Sequence, residues 1–154
     1  LEAAVLTDRI GVKKTEFMEN GAGNMRAIVY TAIFGAYDDL KQPAPQNEEC
    51  DFICFTDSGL PPRVGAWSVI RVRPSGRLHP PMQAKKFKLL SHKVFPNGRL
   101  ALRYAPLSLR RPCDMSIWVD GSFQIKSPDF VGSMRSALGG QDWAMFAHPH
   151  RNCI

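Results

Sequence analysis

From Asp57 to Asp114 this sequence has no acidic residue in between, although the stretch carries twelve of the chain's 20 lysines and arginines. The remainder is acidic, so the net charge of +6 is a local excess rather than a uniform one. Such an asymmetry can set a positive field over one surface and favours an anionic partner such as a nucleotide, a phosphate, a nucleic acid or an acidic lipid. A solvated basic surface without a ligand is the plain alternative. Long apolar runs are also lacking: Ser116 to Val119 and Ala144 to Ala147 fall far short of the roughly 20 residues of a membrane-spanning helix. No basic segment followed by an apolar core opens the chain, which excludes a recognisable signal peptide and makes the cytoplasm the expected location. Cysteine is sparse, with 4 in 154 residues and no CxxC pair, a density well below that of a disulfide scaffold, and the four read as reduced. Cys50 and Cys54 on one extended segment would stand roughly 13 Å apart, beyond disulfide reach. Absent too are the GxGxxG dinucleotide fingerprint, the GxxxxGK[ST] phosphate loop, the GxSxG nucleophile elbow, the HExxH zinc helix and the kinase signatures. Their absence argues against the common dehydrogenases, P-loop enzymes, α/β-hydrolases and zinc proteases.

What is present is an alternation of apolar runs and breakers. Residues 1–24 have no sustained periodicity and are expected to be a poorly ordered leader or appended segment, with a domain over residues 25–154. Arg26 to Phe34, Asp51 to Thr56, Trp67 to Val72, Ser116 to Asp120 and Trp143 to Ala147 read as strands, with loops at Gln42 to Glu49 and Pro74 to Pro81. Gln83 to Phe95 reads as a helix with Ala84, Phe87, Leu90 and Val94 on one stripe. The same arithmetic groups Lys85, Lys88 and His92 on a neighbouring face, a receptor for phosphate or carboxylate or simply a solvated side. A second helix is expected over Pro128 to Leu138, with Ser127 as N-cap, Pro128 at the first position and Gly139 and Gly140 ending it. Strands alternating with helices indicate an α/β fold with a mainly parallel central sheet flanked by helices.

In such sheets ligands gather outside the carboxyl ends of the strands. The first run delivers Gly35, Tyr37 and Asp38, where glycine admits close backbone approach, Tyr37 can stack on a base and Asp38 can accept from a ribose; ordinary turn chemistry explains them equally. The second run ends at Thr56, Asp57 and Ser58. The fourth delivers Asp120, Gly121 and Ser122, a carboxylate and a second oxygen suited to magnesium or manganese, or else a capping turn. His148 and His150 would share a face of an extended segment, as one further ligand or acceptor contact or as a metal-free loop pair.

The blocks YTAIFGAYDDL (30–40), DFICFTD (51–57), AKKFKLLSHKVFP (84–96), SIWVDGSFQI (116–125) and FAHPHRNCI (146–154) together resemble, in order, a glycosyltransferase family formerly filed as a domain of unknown function, with plant mucilage- and turgor-related members and bacterial relatives. The resemblance implies a GT-A-like nucleotide-diphospho-sugar transferase fold. It implies that Thr31, Phe34, Gly35, Tyr37, Asp38 and Asp57 hold the nucleotide, that Lys85 and Lys88 face the diphosphate or sugar, with His92 added to them by the helix arithmetic, and that Asp120, with Ser122, binds the divalent cation and is the catalytic carboxylate. The expected activity is transfer of a sugar from a nucleotide-diphospho-sugar to a carbohydrate or glycan acceptor. Two features depart from the pattern: Ser122 replaces the second aspartate of a DxD motif, and Asn97 to Pro112 looks like an insertion. The family continues beyond the position matched by Ile154, so a chain truncated at its C-terminus is expected. The rival readings are an inactive truncated nucleotide-binding domain, or a basic nucleic-acid-binding module stacking bases on Phe87, Phe95 and Tyr104.

Overall fold

The computed structural model describes residues 26–76, 78–142 and 144. The segment 1–24, His148, His150 and all of the fifth apolar run except Ala144 lie outside the described residues. The elements are β1 (Ala27–Ile33), β2 (Cys50–Thr56), β3 (Arg63–Val64), β4 (Trp67–Arg71), α1 (Pro80–Leu89), α2 (Ser91–Val94), β5 (Met115–Trp118) and α3 (Phe130–Leu138). Short 3-10 turns stand at Pro96–Gly98 and Leu107–Leu109.

The sheet has the order β3-β4-β2-β1-β5, and every pair is parallel except the edge pair β3 and β4. This is an α/β fold with a mostly parallel sheet. β1 is buried along its whole length, as expected of a continuous branched and aromatic run at the centre of a sheet covered on both faces. The chain leaves β1 in one direction through β2 and β4, then returns to place β5 on the other side. Ala27 pairs with Cys50 on one edge and with Met115 on the other. The order therefore reverses between β1 and β5, and a crevice outside the carboxyl ends of those two strands follows from the topology.

One face of the sheet carries Ile28, Tyr30, Ala32, Phe34, Ile53 and Phe55 under α1, α2 and the chain after them. Phe87 is the hub: its ring stacks on Phe55 at 4.5 Å and lies 5.7 Å from both Phe34 and Tyr104. Burying one such side chain is worth roughly 1.5–3 kcal/mol. The other face packs Val29, Ile33, Cys54 and Trp67 against Ile125, Val131 and the apolar side of α3.

Four departures from the sequence reading have local causes. The helix expected over 83–95 begins at Pro80, because prolines suit the first helical positions, and it breaks at Leu90 (φ −111°, ψ 41°), leaving Ser91–Val94 as a separate turn. The edge strand β3 has only two residues and no periodicity to betray it. The second helix starts at Phe130 with Asp129 at its N-cap, and Ser127 instead accepts the Asp129 N–H through Oγ. Its end is as expected, with Gly139 left-handed at φ 54°. Finally, the supposed insertion at 97–112 is part of the core: Leu100, Ala105 and Leu109 are buried among the aromatic residues of the first face. The same packing removes the proposed base-stacking aromatics, since Phe87 and Phe95 are buried and Tyr104 packs against them.

Candidate functional site

β1 ends at Ile33, and after Phe34 the backbone turns through two successive left-handed residues, Gly35 (φ 63°) and Ala36 (φ 52°), before the Tyr37 N–H donates to the Phe34 carbonyl at 3.4 Å. Glycine is required at 35 on two counts. Its φ is one that side chains resist, and a Cβ there would stand 2.7 Å from Pro80 Cγ at the start of α1. The Gly35 N–H donates to Asp57 Oδ1 at 2.9 Å, so the ends of β1 and β2 are tied together. Ser58 N–H donates to Thr56 Oγ1, a local turn that holds Asp57 in place.

Across the crevice, the Val119 N–H continues the ladder by donating to the Tyr30 carbonyl. Asp120 follows just beyond β5. Its Oδ2 lies 3.4 Å from Lys88 Nζ of α1, and its Oδ1 accepts from Trp118 Nε1 at 3.4 Å. Gly121 closes the loop against β1: a Cβ at this position would meet Asp38 Oδ2 and Ile33 Cγ1 at 3.0 Å each. Lys41 Nζ donates to the Ser122 carbonyl and fastens the far side of the same loop.

The structure thus brings Gly35, Asp38, Asp57, Lys88 and Asp120 to one end of the sheet. Tyr37 is 74% exposed beside them, which leaves its ring free to lie against a planar ligand. Lys85 is exposed on α1, and His92 is exposed on α2, past the break at Leu90, so the continuous-helix arithmetic that grouped it with the lysines does not apply. Thr31 and Phe34 are each only 2% exposed. Phe34 is held in the aromatic core, and Thr31 lines a small cavity with Lys41, Val119 and Asp120, its hydroxyl having no hydrogen-bond partner among the described residues. Both shape the site from below. The α1 N-terminus offers little to an anion, because Pro80 and Pro81 carry no N–H and those of Met82 and Gln83 are taken by the His79 carbonyl.

Sequence reasoning missed three contributors. Trp118 was findable, since it precedes Asp120 by two and so shares its face of the strand. Lys41 and Pro80 carried no such signal. Among the described residues no three His, Cys, Asp or Glu side chains gather as a metal-binding group. Asp120 nevertheless supplies an exposed carboxylate, and a hard cation that keeps water and phosphate ligands needs only one or two from the protein. The residues therefore fit magnesium or manganese shared with a phosphate ligand.

No protein-family model matches this chain, and no solved structure does. Two curated proteins of Arabidopsis thaliana are similar to it. One, described as a probable hexosyltransferase, MUCI70, is 29% identical over 116 residues, covering 64% of this chain and 17% of its own length. The other, the alkaline ceramidase TOD1, is 24% identical over 160 residues, covering 75% of this chain and 31% of its own. The chain spans less than a third of the length of either relative. Among the described residues no helix is long and apolar enough to cross a membrane.

Proposed function

We propose that this chain forms the donor-binding part of a GT-A-like glycosyltransferase, taking a nucleotide-diphospho-sugar at the carboxyl end of the sheet. The observation that carries the reading is the meeting of Asp120 and Lys88 over the β1–β5 switch point, one carboxylate and one ammonium 3.4 Å apart. The similarity to a probable hexosyltransferase supports the same class of chemistry.

In this reading the turn at Gly35 and Asp57 receives the nucleoside, with Tyr37 against the base and Asp38 on the ribose. Lys88 leaves Asp120 for the diphosphate, with Lys85 of the same helix as a further positive group. Asp120, with Ser122 beside it, would hold the divalent cation, whose chemistry there is to neutralise the departing diphosphate. Positioning and electrostatics would carry most of the rate, while the acceptor, a carbohydrate or glycan, supplies the attacking hydroxyl.

The test is thermal stabilisation by uridine and guanosine diphosphates and their sugars, with and without manganese, on the native sequence and on Asp120→Ala. The expected result is a manganese-dependent rise of a few degrees that the variant lacks. A folded chain that shows no shift with any of these ligands overturns the reading.

A further inference from the structure

At the opposite end of the sheet lies a pocket of about 370 Å³, within the range of small-molecule sites. Its position is fixed by the hydrogen bond from the Cys113 N–H to the Gly98 carbonyl, just before β5 begins, whereas Asp120 lies just after β5 ends. The wall is a left-handed turn at Asn97 (φ 52°) and Gly98 (φ 65°), and a Cβ at 98 would stand 2.6 Å from the Cys113 carbonyl oxygen. Asparagine and glycine are the residues that adopt this backbone most readily.

The lining divides by chemistry. Buried Leu100 and the 81% exposed Leu102 supply apolar surface, and Arg99 and Arg110 supply two guanidinium groups. Arg110 Nε donates to the Ala105 carbonyl at 3.3 Å, which holds that guanidinium by one edge. Among the described residues neither arginine has a carboxylate partner, and the sequence from 58 to 113 contains none to offer. Two uncompensated guanidiniums beside an apolar wall match a doubly charged head on a carbon stem.

We propose that this pocket is a second ligand site for a phosphate monoester carried on an apolar stem, its phosphate between Arg99 and Arg110 and its stem against Leu100 and Leu102. A phosphate monoester carries close to two negative charges at neutral pH and offers oxygens for both forks. A soluble amphiphile and the headgroup of an acidic lipid share this chemistry.

Calorimetric titration with hexyl phosphate, inorganic phosphate and hexanol tests the site on the full chain. Hexyl phosphate should bind roughly tenfold or more tightly than either fragment. Arg99→Ala combined with Arg110→Ala should lower that affinity roughly tenfold or more, while Leu102→Ser should weaken hexyl phosphate and leave inorganic phosphate unchanged. Asp120→Ala should have no effect, which separates this site from the sheet-end site. Sedimentation with phosphatidylcholine vesicles containing phosphatidic acid, lost in the double arginine variant, would identify a lipid headgroup as the source; hexyl phosphate binding without sedimentation would identify a soluble ligand. The proposal is overturned if the native sequence does not bind hexyl phosphate, if a double variant that melts like the native chain binds it undiminished, or if Asp120→Ala abolishes binding.

Discussion

Lys88 reaches from α1 to the loop after β5 and sets its Nζ 3.4 Å from Asp120 Oδ2, so the two sides of the switch-point crevice are bridged by a pair that solvent reaches from both partners. Pairs of this kind contribute about 0–1 kcal/mol to stability. A bridge this weak costs little to open, and under the proposed function Lys88 would turn to the diphosphate and Asp120 to the cation.

Lys88→Ala and Asp120→Ala should consequently change the melting temperature little and donor binding much. Losing one charge-assisted contact to a diphosphate is expected to cost about 1.5–3 kcal/mol of affinity. Parallel melting curves and ligand titrations of the two variants check this; equal losses of stability and binding would assign the pair to the scaffold.

The turn after β1 gives a paired test of opposite sign. Gly35→Ala forces a Cβ into a left-handed residue against Pro80 and should destabilise by about 2–4 kcal/mol. Ala36→Gly relieves a left-handed residue at φ 52° and should be neutral or stabilising by up to about 1 kcal/mol. Urea unfolding of both variants measures the difference.

Leu100→Ala and Leu109→Ala should each cost about 2–5 kcal/mol, because both side chains are 3% exposed and close the aromatic face of the sheet. A dispensable surface insertion would tolerate either change within about 0.5 kcal/mol. Denaturant midpoints decide between these outcomes.

Burial pushes the Cys54 thiol from its ordinary value of 9.0 up to about 12, and burial, aided by the charges of Asp51 and Glu48, pushes Cys50 up to about 11. Burial likewise raises the Tyr30 phenol from 10.0 to about 12, against a hydrogen bond with Ser91. Each group ionises more readily in the unfolded chain, so the stability they contribute is complete below about pH 9 and is lost as pH rises toward 12. Melting temperature followed from pH 8 upward should fall through this window, and Cys54 should resist alkylation until the chain unfolds.

The central strands were legible because β1 and β2 are short apolar runs bounded by breakers, and the place to look for a site followed from their carboxyl ends. The break at Leu90 was not legible, since Ala84, Phe87, Leu90 and Val94 keep a helical spacing across it and only the backbone shows the interruption. Nor was the role of 97–112, where Leu100, Ala105 and Leu109 follow no single period yet all reach the same core. Within the candidate site, Gly35, Asp38, Asp57, Lys88 and Asp120 were nameable from position along the chain. The burial of Thr31 was hidden, because a threonine within a strand run reads the same whether a loop covers it or a ligand does.

The pairing of Ala27 with Met115 bears on how the molecule comes to be built. One edge of β1 can find β2 within some twenty residues of translation, but the other has to wait for a segment nearly ninety residues downstream. Until that segment leaves the ribosome, a strand that is buried along its whole length in the finished fold presents an unpaired edge to the cell. Contacts of this sequence separation also slow folding, toward the order of milliseconds to seconds. Nascent chains halted before β5 should therefore be the species that chaperones hold and that aggregates form from.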